Sequence, residues 1–264
     1  MKMLFYESMG RAVLCAFALA LPVAAAAQAP QLRTEPYAFR LADGSDLAAE
    51  RGRMMVPEDR NDPRSRRIEI GFVRFRSTNP NPGAPIIYLA GGPGGSGVAT
   101  ARGARQPVFL ALRQVADVIA LDQRGTGWSN HIPPCTASRR LDPGLVLSEA
   151  TLTAYHRETL RECLGRWRAA GVATGGYTTE QSAADLEDLR RALGARKIDL
   201  WGISYGTHLA MATMRRFPGS IGRVVLASAE GMDQTVKLPS SVDAAFARIE
   251  AAAGIPLTAL MRRV

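Results

Sequence analysis

Apolar and polar residues alternate with a period of two over residues 47–56 and again over 67–77, where Ile68, Ile70 and Phe72 take apolar positions. That period sends alternate side chains to opposite faces of a strand, and Asn61, Asp62 and Pro63 between the runs predict the connecting turn. Residues 85–89 break the alternation with a short continuous apolar run, as in strands buried on both faces, and residues 118–121 do the same. A glycine-rich loop follows the first of these, and a helix to about residue 114 is predicted before the second. Strand, helix and strand in that order make a right-handed parallel crossover.

Helical spacing dominates the second half of the chain. Over 149–170, Leu152, Tyr155, Leu160, Cys163, Leu164 and Trp167 recur mostly at threes and fours, and Gly171 ends the segment. Thr178 with Gln181 three residues later is a capping-box signature for a helix that presents Leu186, Leu189 and Leu193 on one face before Gly194. Residues 198–201 are the next strand, 205–217 a helix stopped by Pro218 and Gly219, and 224–226 a further strand. Ser241 opens a helix with Ala245, Phe246 and Ile249 on one face, Gly254 closes it, and Pro256 starts another bearing Leu257, Leu260, Met261 and Val264. The fold class is therefore α/β, an open and mostly parallel sheet with helices on both faces.

The N-terminus reads differently. Lys2 and Arg11 precede an apolar run over 12–24 that is short for a membrane span, and Ala25 and Ala27 stand at the −3 and −1 places of a cleavage site. Residues 1–27 are thus expected to be a signal peptide, with Gln28 as the mature N-terminus and a periplasmic or secreted product. A retained N-terminal anchor is the alternative. After cleavage no membrane partner is expected. The net charge of +9 comes from basic residues that are nearly all arginine and are scattered among acids, so no stripe suited to nucleic acid emerges. Loss of Cys15 with the signal leaves Cys135 and Cys163. In an oxidising compartment the pair is expected as a disulfide, with two reduced buried thiols as the alternative. Neither has the His or Cys neighbours of a metal site.

Three motifs carry chemistry. Gly202-Ile203-Ser204-Tyr205-Gly206 is a G-x-S-x-G elbow between a predicted strand and a predicted helix, where Ser204 is the candidate nucleophile. A sharp strand-to-helix turn forces the serine into a strained conformation, so side chains two positions either side must nearly vanish. A structural serine in a glycine-rich turn is the plainer alternative. Residues 91–97, Gly-Gly-Pro-Gly-Gly-Ser-Gly, follow an earlier strand, where glycines let backbone N–H groups approach an oxyanion. The second donor is the N–H of Tyr205. Gly92 to Gly97 also satisfies the G-x-G-x-x-G pattern of a dinucleotide-binding redox domain, with Asp117 or Asp122 at a suitable distance for a ribose contact. A P-loop is excluded by Val98 and Ala99, which stand where Lys and Ser or Thr are needed.

The third motif, Asp122-Gln123-Arg124-Gly125-Thr126-Gly127-Trp128-Ser129, decides between these readings. With the other two it resembles the proline-iminopeptidase and tripeptidyl-aminopeptidase branch of the α/β-hydrolases, peptidase family S33, in order and spacing over residues 47–238. The resemblance implies an α/β-hydrolase core over residues 28–238 and the beginning of a helical cap over 239–264. It further implies a serine hydrolase acting on small peptides, with esters as the alternative substrates and no cofactor. By resemblance Gly92 is the loop oxyanion donor, with Gly91 the alternative, and Asp122 and Arg124 brace that loop. Ala90 departs from relatives that carry His or Asn before the glycines.

Two of the three members of the expected triad, the acid and the histidine, are not found. The fold's order is Ser, acid, His, yet His131, His156 and His208 all precede the strand at 224–226. His208 lies one helical turn beyond Ser204, His131 follows the Asp122 motif, and His156 reads as a polar helix position. Glu230 and Asp233 follow the strand, where some members of the fold carry their acid. The expectation is a C-terminally truncated chain with little or no turnover.

Overall fold

The computed structural model describes residues 31–138, 140–142, 144, 148–232 and 239–256. Seven strands form one sheet in the order β1-β2-β3-β5-β4-β6-β7, with β1 Gln31–Arg40, β2 Asp46–Pro57, β3 Arg67–Phe75, β4 Ile86–Leu89, β5 Val118–Leu121, β6 Ile198–Ile203 and β7 Ile221–Ala227. The four strands from β5 to β7 run parallel, and β1, β2 and β3 extend the sheet antiparallel. The parallel half holds the short apolar runs. All four residues of both β4 and β5 are buried, as strands covered by helices on two faces must be.

Strand alternation divides the core in two. On one face Ile68, Ile70, Phe72, Ile87, Leu89, Ile119, Leu121, Ile198 and Leu200 meet Leu186 and Leu189 of α4 (Thr179–Ala192) and Leu209 of α5 (Tyr205–Arg216). On the other, Val73, Phe75, Ile86, Tyr88, Val118, Ala120 and Trp201 meet Val98 of α1 (Gly97–Arg102) and Phe109 of α2 (Gln106–Leu112). Each fully buried side chain of this size contributes about 1.5–3 kcal/mol relative to exposure, so the two layers hold the parallel strands in register.

Several expectations change in detail. β1 has no counterpart in the sequence reading, because its burial is sparse and Pro36 interrupts it. A proline is tolerated on an edge strand, where its missing N–H faces no partner. The single helix expected up to residue 114 is two, α1 and α2, separated at Gly103. Thr178 caps α4 by accepting from Gln181 N at 3.3 Å, but the Gln181 side chain does not close a capping box. It reaches instead to Asp59 and Arg60 in the β2–β3 turn. α3 (Glu149–Ala169) forms as expected, yet Leu152 and Leu160 are exposed and only Cys163 is buried. It is tied to the preceding segment by a Cys135–Cys163 disulfide, by Trp167 Nε1 donating to Pro133 O at 2.8 Å, and by Ser138 Oγ donating to Glu162 at 2.9 Å. α6 (Pro239–Ala253) starts two residues before Ser241, ends before Gly254 at φ +64°, and leaves Val242 and Ile249 exposed. The expected signal peptide, Asp233, and Leu257, Leu260, Met261 and Val264 lie outside the described residues. Among the described residues no helix is long and apolar enough to cross a membrane.

Candidate active site

β6 ends at Ile203, α5 begins at Tyr205, and Ser204 alone makes the turn between them. Its φ of 53° and ψ of −124° lie where non-glycine residues are rarely found, at a cost of order 1–3 kcal/mol. The neighbours explain how that conformation is imposed. A Cβ on Gly202 would stand 2.5 Å from Gly206 O, and one on Gly206 would run into Leu89 O of β4. Only glycine fits two places either side of the serine, as the motif predicts. Ser204 N donates to Ala227 O of β7 at 3.0 Å, and Thr207 returns both its N–H and its hydroxyl to Ser204 O at 2.7 Å. The Ser204 hydroxyl is thereby lifted to the C-terminal edge of the parallel strands, where open α/β sheets bind their ligands.

The glycine loop lies against this turn. A Cβ on Gly91 would meet Ile203 O at 2.9 Å and Ser204 Cβ at 3.0 Å, so the backbone approaches the serine as closely as packing permits. Gly92 and Gly94 take φ of +124° and +104°, the Gly92–Pro93 peptide is cis, and Gly95 N donates to Gly91 O at 3.1 Å. Tyr205 N–H opens α5, where the first helical N–H groups have no partner within the helix and the dipole favours negative charge. Gly91, the alternative loop donor, borders the serine, while Gly92, the donor implied by resemblance, turns the loop back onto Gly94 and Gly95.

The third motif fixes the loop from beneath. Asp122 is fully buried and accepts from Ser96 Oγ at 2.7 Å, Val98 N at 3.1 Å and Trp128 N at 2.8 Å, while Gln123 Nε2 donates to Ala90 O at 3.0 Å. Arg124, 1% exposed in its side chain, donates twice to Asp185 of α4 and once each to Glu58 O and Gly176 O. Arg60 adds a second guanidinium to Asp185 at 2.6 Å. Glu58 accepts from Arg66, Tyr177 and Ala173 N. Burial pushes its carboxyl up, but the hydrogen bonds from these three partners and the charge of Arg66 outweigh burial and hold it below the usual range. These contacts also remove the acids of the dinucleotide reading. Asp122 spends both oxygens on the loop, and Asp117 is held by Arg74, Arg76 and Ser77 N at the start of β5, the end of the strand away from Ser204.

The three histidines take other partners than Ser204. His131 Nε2 lies 2.8 Å from Glu69 O on β3, His156 packs edge-on to Tyr155, and His208 stacks on Tyr205 with its Nδ1 3.3 Å from Gly231 O. Ser204 Oγ instead donates to Glu230 Oε1 at 2.9 Å. The sequence marks Glu230 only as a candidate acid after the strand and gives no sign of this direct contact, because the two residues are 26 apart and meet through the β6–β7 pairing.

Residues 84–261 match the alpha/beta hydrolase fold family. Tripeptidyl aminopeptidase of Streptomyces coelicolor is 31% identical over 187 residues, covering 67% of this chain and 34% of its own length. Serine protease Hip1 of Mycobacterium tuberculosis is 28% identical over 183 residues, covering 66% of this chain and 35% of its own. The chain thus spans about a third of the length of these curated relatives. Among solved structures, a probable hydrolytic enzyme from Pseudomonas aeruginosa aligns with a TM-score of 0.44 at 16% identity, over 69% of this chain and 42% of that one.

Proposed function

Because the chain belongs to the alpha/beta hydrolase fold family, we propose that it is an exported serine hydrolase of the aminopeptidase type, with Ser204 as nucleophile and the N–H groups of Tyr205 and Gly92 as oxyanion donors. The observation that carries this reading is the strained turn at Ser204, enforced by Gly202 and Gly206 and faced by the glycine loop. Attack of Oγ on an acyl carbon places the developing oxyanion beside the first N–H of α5. A positive helix terminus and a second N–H from the loop stabilise that charge, and each donor of this kind is worth about 10²–10³ in rate. Asp122 and Arg124 hold the loop in place for this purpose. α6 is the beginning of a cap over the site. Export agrees with the N-terminal pattern of residues 1–27 and with the disulfide, which persists in oxidising compartments. None of the three histidines is bonded to Ser204, so turnover on peptides by this chain is slow, near the residual of about 10³–10⁴ over water that an oxyanion hole and binding supply.

Fluorophosphonate labelling followed by peptide mass mapping tests the assignment. Label is expected on Ser204 and absent from Ser204→Ala, with free-amine tripeptide anilides preferred over their N-acetylated counterparts. Label on another residue, or none, refutes the serine-hydrolase reading. Equal hydrolysis of blocked and free substrates refutes the aminopeptidase assignment alone and favours an esterase.

A further inference from the structure

We propose that Gln123 is a positioning residue of the glycine loop, setting the direction of the loop's backbone N–H groups by holding the carbonyl of Ala90. The inference rests on the serine-hydrolase reading above and adds a residue which that reading does not use. Ala90 is buried and stands one residue past Leu89, where the pairing of β4 with Gly202 of β6 ends. Its carbonyl takes a side-chain donor instead, Gln123 Nε2 at 3.0 Å. A trans peptide is planar, with its C=O and N–H pointing in opposite directions. Fixing Ala90 O on one side therefore fixes the Gly91 N–H on the other. The next peptide is fixed in the same way, because Gly91 O accepts from Gly95 N at 3.1 Å and so turns the Gly92 N–H to the side opposite Gly95. Both candidate loop donors thus lie on peptide planes that a hydrogen bond holds.

Gly91 is the joint between those two planes, and a residue without a Cβ gives little resistance to rotation there. The restraint has to come from outside the joint. The bond from Gly95 is internal to the loop, whereas the bond from Gln123 ties the loop to the end of β5. Gln123 is well placed for this because its own backbone is pinned. Its carbonyl accepts from Thr126 N at 2.9 Å and Thr126 Oγ1 at 2.8 Å, and Asp122 and Arg124 on either side are buried and bonded. The consequence reaches the nucleophile directly. A Cβ on Gly91 would stand only 3.5 Å from Ser204 Oγ, so a rotation of the Ala90–Gly91 plane changes the surroundings of the attacking atom.

The experiment compares fluorophosphonate labelling of Ser204 in the full 264-residue chain for the wild type, Gln123→Met and Gln123→Glu between about pH 5 and 8, at a temperature where thermal melts show each protein folded. Methionine keeps the length of the side chain and cannot donate to a carbonyl. Its maximal labelling rate should fall by about 10–10²-fold at every pH, with the half-saturating probe concentration little changed, because the loop donors act on charge that develops in the transition state. Glutamate has the shape of glutamine, but its carboxyl can donate to Ala90 O only when protonated. The rate of Gln123→Glu relative to wild type should therefore match that of Gln123→Met near pH ~8 and climb back toward one as pH falls, beginning above the usual carboxylate value of ~4.3 because the position is buried. A side chain that only satisfies a buried carbonyl would shift the melts and leave the labelling of folded protein unchanged. Labelling of Gln123→Met at the wild-type maximal rate, or a relative rate for Gln123→Glu that does not change with pH, overturns the proposal while leaving the serine-hydrolase reading intact. The Gln123→Glu series decides by itself if Gln123→Met does not fold. No labelling of the wild type at any pH removes both readings together.

Discussion

Replacing Arg124 by methionine removes a guanidinium that makes five hydrogen bonds in a site where its side chain is 1% exposed. Two of the five go to Asp185, itself 4% exposed, and three to the carbonyls of Pro57, Glu58 and Gly176. Breaking a buried pair by deleting one partner costs about 3–5 kcal/mol, because the remaining charge stays buried. Arg60 still faces Asp185 at 2.6 Å, which places the expected loss toward the lower end of that range. For a domain of this size a loss near about 3 kcal/mol is a fall in Tm of about 6–12 °C. Urea melts followed by circular dichroism give the value directly, with an unchanged m showing that the same transition is being read. Arg124→Lys should recover less than half of the loss, since an ammonium cannot satisfy the carboxylate and three carbonyls in one geometry. The double variant Arg124→Met/Asp185→Leu should be more stable than Arg124→Met alone, because it removes the stranded carboxylate. A single-variant loss below about 1 kcal/mol, or a double variant less stable than Arg124→Met, would overturn this account of the buried pair. Ser204 labelling should fall in parallel, since Arg124 anchors the segment from which Asp122 holds the glycine loop.

Two further outcomes are expected. Protein recovered from an oxidising compartment should carry the Cys135–Cys163 bond, read by intact mass after alkylation with and without reductant, and two free thiols would contradict it. Reduction should cost about 3–4 kcal/mol for a separation of 28 residues in the chain-entropy picture, loosening α3 first because only Cys163 of that helix is buried. The hydrogen bond from Arg190 to Glu187, acting against the upward push of burial and with help from Ser220 and Arg191, lowers the Glu187 carboxyl from 4.5 to about 2. A depressed acid stabilises the fold above its unfolded value and loses that contribution as pH falls. Wild type should therefore exceed Glu187→Gln in stability by on the order of 2–3 kcal/mol above pH 4.5, read from urea melts, with the gap closing between pH 4.5 and about 2. A gap independent of pH would show that Glu187 acts through packing alone.

Features that depend on neighbouring residues were legible in the chain alone. Four-residue apolar runs mark β4 and β5 because a strand covered on both faces tolerates no polar side chain, and both are buried throughout. Gly202 and Gly206 announce the turn at Ser204 because backbone sterics over five residues permit little else. The Thr178 cap, the Gly171 and Gly254 stops and the α3 period are equally local. Other features required the assembled sheet. β1 carries few apolar residues of its own and is a strand because β2 offers it a hydrogen-bonding edge. Gln181 has the spacing of a capping box, yet the arrival of Asp59 and Arg60 gives its amide stronger partners than its own helix end. Arg124 meets Asp185 across 61 residues, and Ser204 meets Glu230 across 26. Polar contacts of that separation leave no periodic trace in a chain, since each residue's neighbours are set by strand order and register, which arise only when the whole sheet assembles.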